Sequence, residues 1–402
     1  MKKLMLSSLA VLALTSGAQA ATKFYTDANG QVFTKPGEGR TEIKAPTPWY
    51  SHADKLKFSV QTFLGYKYND FDKLADGVTK RANGSNFEVR RAYFQVKSYM
   101  MEDPKSYYRI TFDVSKDVTG DEKVRAKYAY VYLNNILPAT GVEVGLAHRP
   151  WHDYEEHNAW YYRSISKILI ETKRDGDLSN SADFGFMFKT RTKYFDADYG
   201  LFNGEGYHSY QFGTGLSFEW RATAHILGTS SHHHPEKNTY FDASFFGQLN
   251  KNHRKIKNLA GNYVYKDMNF FGIHTVYNMP SFLIAAQYVD SKVDKVDGYA
   301  DSKSGKGWEV NTEGRFGAKK QYKVLARYDD WKPEANDGAK EYHKKSYIIG
   351  AAWKQNKNLE WVANATIKDY NKELLPNPNG TLPSSADSYN GVDYMLTAEI
   401  NF

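Results

Sequence analysis

Residues 393–402 of this chain read DYMLTAEINF, and this stretch decides the fold. Its apolar positions recur at every second residue, namely Tyr394, Leu396, Ala398, Ile400 and Phe402. A period of two is that of a β-strand with one apolar and one polar face. A terminal phenylalanine on such a strand is similar to the signal that the outer-membrane barrel assembly machinery reads. We therefore predict that this machinery is a partner and that Tyr394, Ile400 and Phe402 form an assembly signal.

The same alternation recurs from about residue 58 to the end of the chain, and the helical period is nowhere convincing. The apolar faces are rich in aromatic residues, with 31 Tyr, 23 Phe and 8 Trp in 402 residues. A soluble β-sandwich would also alternate, but its dry core could not accommodate the many charges on the polar faces. The pattern predicts an all-β protein: a transmembrane, antiparallel, up-and-down β-barrel with a polar lumen.

Connection lengths alternate between long and short, as expected for extracellular loops and periplasmic turns. We predict sixteen to eighteen strands and favour eighteen, with separate strands beginning near His208 and Arg221, and near Lys257 and Asn269. The connection at Asp267-Met268 is too short for its expected outer side. A count of sixteen, with one hairpin misread, therefore stays open.

The N-terminal residues have the parts of a secretory signal peptide: Lys2-Lys3, an apolar run and an Ala-x-Ala ending at Ala20. We predict cleavage after Ala20 and a final location in the cell outer membrane of a Gram-negative-type cell. Residues 21–57 are expected to be an irregular periplasmic lead-in, and residues 58–402 to form the barrel.

The composition excludes several classes of function. The chain has no cysteine, so it offers no disulfide, thiolate metal site, cysteine nucleophile or Cys-x-x-Cys-His haem attachment. Its formal charge is +7, but basic and acidic residues are interspersed rather than gathered into a stripe, which argues against a nucleic-acid partner. We expect no cofactor.

If the aromatic and aliphatic side chains face lipid, the opposite phase of the strands supplies the pore lining. The predicted pore-lining residues are Arg91, Lys97, Arg109, Asp113, Arg125, Lys127, Arg149, Lys189, Arg191, Arg315 and Arg327. Lys323 belongs to the same phase, and the acidic residues in it are Glu143, Asp183, Asp196, Asp198, Glu219, Glu309, Glu313, Asp329 and Glu399. On the early strands the inward-facing phase carries more basic than acidic residues, which predicts a weak preference for anions. The alternative is a solvated lumen whose charges pair with one another.

The longest connection, residues 150–180, mixes charged and aromatic side chains, and we predict that it folds inward and narrows the channel. The candidate constriction residues are His152, Asp153, Glu155, Glu156, His157 and Arg163. The alternative is a surface loop packed on its neighbours. The spacing of His152 and His157 matches no recognised metal-binding signature, so we predict no metal site. His232, His233 and His234 are expected to lie in a solvated outer loop.

Four short stretches resemble the phosphate-selective porin O and P family. They are residues 87–96 (FEVRRAYFQV), 142–151 (VEVGLAHRPW), 199–206 (YGLFNGEG) and 327–331 (RYDDW). The resemblance is scattered over roughly residues 85–400. It implies a porin, and it allows a homotrimer. That family's phosphate specificity rests on arginine ladders and lysine clusters, which are not dense here.

These features predict a porin through which small hydrophilic solutes, anionic or neutral, diffuse passively, surrounded by outer-membrane lipid and lipopolysaccharide. We expect no enzymatic activity, since the chain has no Gly-x-Ser-x-Gly nucleophile signature. Two alternatives stay open. One is a barrel that sheathes a partner such as a multihaem cytochrome, and the other is an outer-membrane hydrolase.

Overall fold

A computed structural model describes residues 23–43, 55–71, 83–99, 101–116, 120–208, 215–229, 235–297, 300–335, 341–370 and 390–402. The chain divides into two compact units, Met1–Lys55 and Leu56–Phe402. The predicted signal peptide lies outside the described residues.

The first unit contains a small three-stranded antiparallel sheet. Its strands are β1 (Tyr25–Thr26), β2 (Val32–Phe33) and β3 (Thr41–Glu42), in the order β2-β1-β3. The turn between β1 and β2 is closed by Asp27, whose Oδ1 accepts hydrogen bonds from the backbone N–H groups of Asn29 and Gln31, both at 2.9 Å. Short strands therefore occur within the stretch that the sequence predicted to be irregular.

The second unit is a closed antiparallel barrel of sixteen strands, in which β19 pairs with β4. The strands are β4 (Leu56–Phe71), β5 (Gly84–Ser98), β6 (Tyr107–Lys116), β7 (Glu122–Leu137), β8 (Thr140–His148), β9 (Ala182–Arg191), β10 (Phe195–Phe202), β11 (Ser217–His225), β12 (Tyr240–Lys257), β13 (Tyr263–Met279), β14 (Phe282–Val293), β15 (Gly305–Phe316), β16 (Tyr322–Pro333), β17 (Lys344–Lys354), β18 (Leu359–Tyr370) and β19 (Gly391–Asn401). The prediction of an all-β transmembrane barrel is confirmed.

The favoured count of eighteen strands is wrong, because two strands were each read as two. The first is β11, which continues through Trp220 to His225, where the sequence suggested a turn. The second is β13, which runs through Asp267-Met268 without a break. The apolar alternation fails there because the end of the β12–β13 hairpin carries polar and basic residues, and a register irregularity lies between Asn250 and Arg254.

Long and short connections fall at opposite ends of the barrel, which we call the long-loop end and the short-turn end. The longest connection of all, residues 149–181, lies at the long-loop end, whereas β7 and β8 are joined by residues 138–139 at the short-turn end. The connection of residues 226–239 is the long exception at the short-turn end. It contains His232–His234, which lie outside the described residues. The strands on either side, β11 and β12, are joined at the short-turn end, whereas an outer loop was expected at the long-loop end.

The two faces of each strand differ as the alternation predicts. On β15, Glu309, Asn311 and Glu313 are buried inside the barrel, whereas Trp308 and Phe316 are exposed on its outer surface. Aromatic side chains on the outside suit a lipid environment, and charged side chains inside suit a wet lumen. Among the described residues, no helix is long and apolar enough to span a membrane.

Candidate pore and its constriction

The connection between β8 and β9 enters the barrel through a buried ion pair. Arg149 Nε lies 2.9 Å and 2.8 Å from the two carboxylate oxygens of Glu219 on β11, and its Nη2 also donates to that carboxylate and to Gln248. Helix α1 (Pro150–Asn158) begins at the next residue, with proline at its first position, where a missing N–H costs nothing. The ion pair therefore fixes the point from which the connection turns into the lumen.

We call residues 150–180 the constriction segment, and its apolar side chains form a core inside the barrel. Ile168, Leu169 and Ile170 are almost fully buried, and the Trp151 ring stacks on Phe246 with centroids 3.7 Å apart. The wall supplies inward apolar side chains from β12 to β19, namely Phe246, Phe270, Val289, Leu325, Ile348, Val362 and Met395. This side of the inner wall thus contributes apolar side chains in addition to its charged ones, because these apolar side chains pack against the segment rather than against water.

Polar contacts also tie the constriction segment to strands around the barrel. Tyr154 donates to Asp242 on β12 at 2.8 Å, Arg90 on β5 donates to the Ser164 carbonyl at 2.6 Å, and Arg327 on β16 donates to the Lys167 carbonyl at 3.0 Å. The two bonds from arginine satisfy backbone carbonyl groups of a segment that has little regular structure of its own. The alternative of a surface loop is therefore wrong.

The six predicted constriction residues fall into two groups. His152 and Glu155 are buried between the segment and the wall, where Glu155 accepts a 2.5 Å hydrogen bond from Gln287 on β14. Asp153, Glu156, His157 and Arg163 line open space in the lumen instead. Arg163 pairs with Glu156 and, at 2.8 Å, with Glu171, whereas the His157 side chain is 70% exposed. For the five of these residues that lie in α1, helical periodicity separates the two groups, and no helical pattern was recognised in this stretch of sequence.

Burial controls the ionisation of the segment. It lowers the pKa of His152 to about 3, so the imidazole is neutral at neutral pH. Burial, together with the nearby Glu309 carboxylate, raises the pKa of Glu155 well above its usual range.

We expect acid to loosen the constriction segment through His152. The docked state keeps this pKa at about 3, whereas an exposed histidine titrates near its ordinary value of 6.5. The neutral imidazole therefore contributes fully to the stability of the docked segment above about pH 6.5, and this contribution is lost as the pH falls toward 3. His152→Leu should resist proteolysis of the segment better than the unchanged protein at about pH 5. Equal cleavage rates at that pH would contradict the expectation, and His157→Leu, at an exposed position, is the control.

All eleven predicted pore-lining residues contact other inward-facing groups, and seven of them take part in ion pairs. Arg91 and Asp113 pair with each other at 2.9 Å, and Lys189 lies 3.0 Å from Glu143. The others in ion pairs are Arg149 with Glu219, Arg191 with Asp198, Arg315 with Glu313, and Arg327 with Glu309 and Asp329. These pairs stabilise the wall and leave little net charge for a solute.

The remaining four, Lys97, Arg109, Arg125 and Lys127, differ from the other seven, and we call them the cation row. They lie on the adjacent strands β5, β6 and β7, and no carboxylate among the described residues lies within 4.0 Å of their charged nitrogens. Arg125 donates to His208 Nδ1 at 2.7 Å, and burial together with Arg125 lowers the pKa of His208 to about 4. His208, which accepts the hydrogen bond from Arg125, is therefore neutral at neutral pH.

Two β-bulges arrange this wall in a way that strict alternation hides. In β5 the register shifts opposite Phe63 and Leu64, and in β7 it shifts opposite Thr111 and Phe112. As a result Arg90 and Arg91, which are consecutive, both contact inward-facing groups. Lys127 and Tyr128 likewise both line the lumen. Tyr93 and Tyr128 were missed because aromatic residues were expected to face lipid.

Open space remains on the side of the lumen that the segment does not fill. A cavity of about 790 Å³ opens toward the long-loop end and is lined by nine Lys or Arg residues against three Asp or Glu residues. A second cavity, of about 470 Å³, lies toward the short-turn end beside β4 to β7. In the part of the chain that the structure describes, no group of three or more His, Asp or Glu side chains is arranged to hold a metal ion.

The barrel fold is similar to those of several solved structures, among them an anion-selective porin and an outer-membrane protein. OprB from Pseudomonas putida has a TM-score of 0.58 at 10% sequence identity, covering 88% of this chain and 96% of that chain. An anion-selective porin from Comamonas acidovorans has a TM-score of 0.57 at 11% identity, covering 86% and 98%. The trimer form of OmpT from Vibrio cholerae has a TM-score of 0.54 at 12% identity, covering 86% and 99%. The sequence matches no protein-family model and no curated protein.

Proposed function

We propose that this protein is an outer-membrane porin through which small hydrophilic solutes diffuse passively, with a weak preference for anions. The observation that carries the proposal is the contrast between the cation row and the paired charges elsewhere on the wall. Unpaired cations in a narrow lumen raise the local concentration of anions, whereas paired charges largely cancel. The basic lining of the cavity at the long-loop end supports the same sign.

The proposed function does not include specificity for phosphate. Of the stretches that resemble the phosphate-selective porin family, residues 87–96 lie on the pore wall, but residues 327–331 pack against the constriction segment. Arg91 and Arg327 are both in ion pairs, so they do not form an open arginine ladder. We therefore assign small anionic and neutral solutes in general. A homotrimer remains part of the proposal, supported by the trimeric form of one similar barrel.

The filled lumen argues against a sheath for a partner protein. The constriction segment packs across the interior from β12 to β19, and its core includes Trp160 and Leu169. The described interior leaves cavities of small-molecule size rather than a passage as wide as a protein domain. A coloured cytochrome that co-purifies stably with the barrel would contradict this conclusion.

The direct test is single-channel recording in planar bilayers under a salt gradient. We expect discrete conductance steps and a reversal potential of anionic sign, corresponding to a selectivity of a few-fold. A reversal potential of cationic sign would refute the anion preference. An absence of conductance from correctly folded protein would refute the open pore itself.

Charge inversion in the cation row should reverse the selectivity. In Arg109→Glu combined with Lys127→Glu, two positive charges on the pore wall become negative, so cations rather than anions are concentrated there. We expect the reversal potential to change sign in low salt and the effect to shrink in high salt, where screening is stronger. The matched control is Lys357→Glu, on the exposed turn between β17 and β18, which should leave the sign unchanged. An unchanged sign in the double variant would contradict the role of the row.

A further inference from the structure

We infer that the cavity of about 470 Å³ at the short-turn end is a binding site for small organic monoanions that carry a carboxylate on a flat, apolar body. We call this cavity the tyrosine pocket; Tyr93, Tyr128, Arg109 and Lys127 are among its lining residues. The inference rests on the proposed function and deepens it, because it names a class of solute. Its arguments are the two cations, the rings beside them and the charges on the facing wall.

The first argument is the ammonium group of Lys127. Lys127 is only 4% exposed, and its Nζ lies 4.6 Å from the ring centroid of Tyr93 and 5.2 Å from that of Tyr128. No described carboxylate lies within 4.0 Å of this nitrogen. A buried cation is costly without a counter-ion, and tyrosine faces compensate only part of that cost. An anion that enters the pocket completes the site.

The second argument is Arg109, whose guanidinium carbon lies 4.6 Å from the Tyr128 ring centroid. Its Nη1 donates to His148 Nε2 at 3.0 Å, while His148 Nδ1 lies 2.9 Å from Glu143. In this arrangement the Nε2 of His148 accepts and its Nδ1 donates, so the imidazole is neutral. Arg109 is therefore hydrogen-bonded but not neutralised, and it places a second positive charge beside the Tyr128 ring.

The third argument is the rest of the lining. Phe63, Tyr93, Tyr128 and Tyr161 offer aromatic surface, and Ser59, Gln61, Gln95 and Thr111 offer hydroxyl and amide groups. The volume of 470 Å³ falls within the usual size range of small-molecule sites, in which a few polar groups fix the orientation of a ligand that packs on apolar surface. An inorganic anion would use the cations alone. A ring or a similar flat body also uses the aromatic faces.

The facing wall limits the charge of the solute. Asp153, Glu156 and Glu399 line the same cavity. Glu156 pairs with Arg163, Asp153 lies 3.7 Å from Lys189, and Glu399 accepts a hydrogen bond from Ser164. Glu399 has no ion pair among the described residues, so negative charge at the far end of a bound solute would meet this carboxylate. The pocket therefore favours a monoanion with a neutral far end over a dianion such as hydrogen phosphate.

The test uses benzoate as the probe, with acetate, inorganic phosphate and benzamide as comparisons at equal ionic strength. We expect benzoate to interrupt the chloride current of single channels at concentrations at least about tenfold below those of acetate or phosphate, and benzamide to act weakly because it has no charge. Calorimetric titration of the detergent-solubilised protein measures binding independently of conductance. A failure of the pore and a failure of this inference can thus be distinguished.

Two variants test the two halves of the site separately. Lys127→Gln should weaken benzoate binding about tenfold and acetate binding by a similar factor, since both need the charge. Tyr128→Leu should weaken benzoate binding but leave acetate binding nearly unchanged, because it removes only aromatic surface. Lys357→Gln is the control, and heat-modifiable migration on gels verifies folding of each variant. Benzoate binding no tighter than acetate binding, or undiminished in both variants, would overturn the inference.

Discussion

Replacing Arg149 with methionine is expected to lower the free energy of unfolding by about 3–5 kcal/mol. The guanidinium and the Glu219 carboxylate are both buried and joined by several hydrogen bonds. Arg149→Met leaves Glu219 as a buried charge whose only remaining hydrogen-bond donor among the described residues is the Ser217 hydroxyl, at 3.0 Å. Because the pair stands where the constriction segment enters the lumen, we also expect faster proteolysis of residues 150–180.

Urea unfolding of the barrel in lipid vesicles measures this effect. Arg149→Met combined with Glu219→Leu should recover most of the loss, since removing both partners leaves no isolated charge. The matched control is Lys251→Met, which breaks the ion pair between Lys251 and Asp267. That lysine side chain is 64% exposed, and its loss should cost at most about 1 kcal/mol. Equal costs for Arg149→Met and Lys251→Met would contradict the importance of burial.

Raising the pH into the alkaline range is expected to loosen the constriction segment and increase the conductance of the pore. Glu155 shares Gln287 with Glu309: the Gln287 amide lies 2.5 Å from Glu155 and 2.9 Å from Glu309. Burial and the Glu309 carboxylate raise the pKa of Glu155, so the docked segment holds a proton that the undocked segment releases. The protonated Glu155 therefore contributes fully to the stability of the docked segment below the ordinary glutamate pKa. This contribution is lost as the pH rises toward the raised pKa.

Asp175 acts in the same direction. Burial and the nearby Asp329 raise its pKa well above the usual range, although Arg174, Arg327 and Lys344 oppose this effect. Glu171 does not contribute to the alkaline change: burial opposes its ionisation, but Arg163 and Lys167 keep its pKa well below the usual range. The alkaline loosening is therefore assigned to the two carboxyl groups that face a wall carboxylate.

Glu155→Gln isolates this effect. The amide keeps the shape of the side chain and cannot ionise, so the rise in conductance at alkaline pH should be reduced, since each unit of pKa shift is worth about 1.4 kcal/mol. Glu102→Gln, in the exposed turn between β5 and β6, should behave as the unchanged protein. If the conductance of Glu155→Gln rises with pH as steeply as before, the carboxyl pair does not hold the segment.

Several features of the fold could be predicted from local patterns. The alternation in residues 393–402 places Tyr394 outward and Asp393 inward on β19, as the period of two requires. The strand count could not be predicted in the same way. The polar end of the β12–β13 hairpin and the continuation of β11 past Trp220 both interrupt the apolar pattern without ending a strand.

The lining of the pore could also be predicted only in part from local patterns. The pore-lining phase was predicted because charge alternates with apolar residues on strands such as β6 and β15. Tyr93 and Tyr128 were not among the predicted pore-lining residues, because composition alone cannot tell an interfacial aromatic residue from one that lines a lumen. The bulge that turns both Lys127 and Tyr128 inward depends on pairing with β6, which no local pattern in β7 reveals.

By itself, the strand DYMLTAEINF determined that the chain forms strands with one apolar face, because the alternation of side chains along a strand is a local property. The rest of the chain extended that pattern into a barrel. Only the tertiary structure decided which inward charges are paired. Arg149 meets Glu219, 70 residues further along the chain, whereas Lys127 meets no described carboxylate. Such pairing depends on distances between strands, which the closed barrel sets. Because the other predicted pore-lining charges are paired, the cation row is the set that is available to a solute.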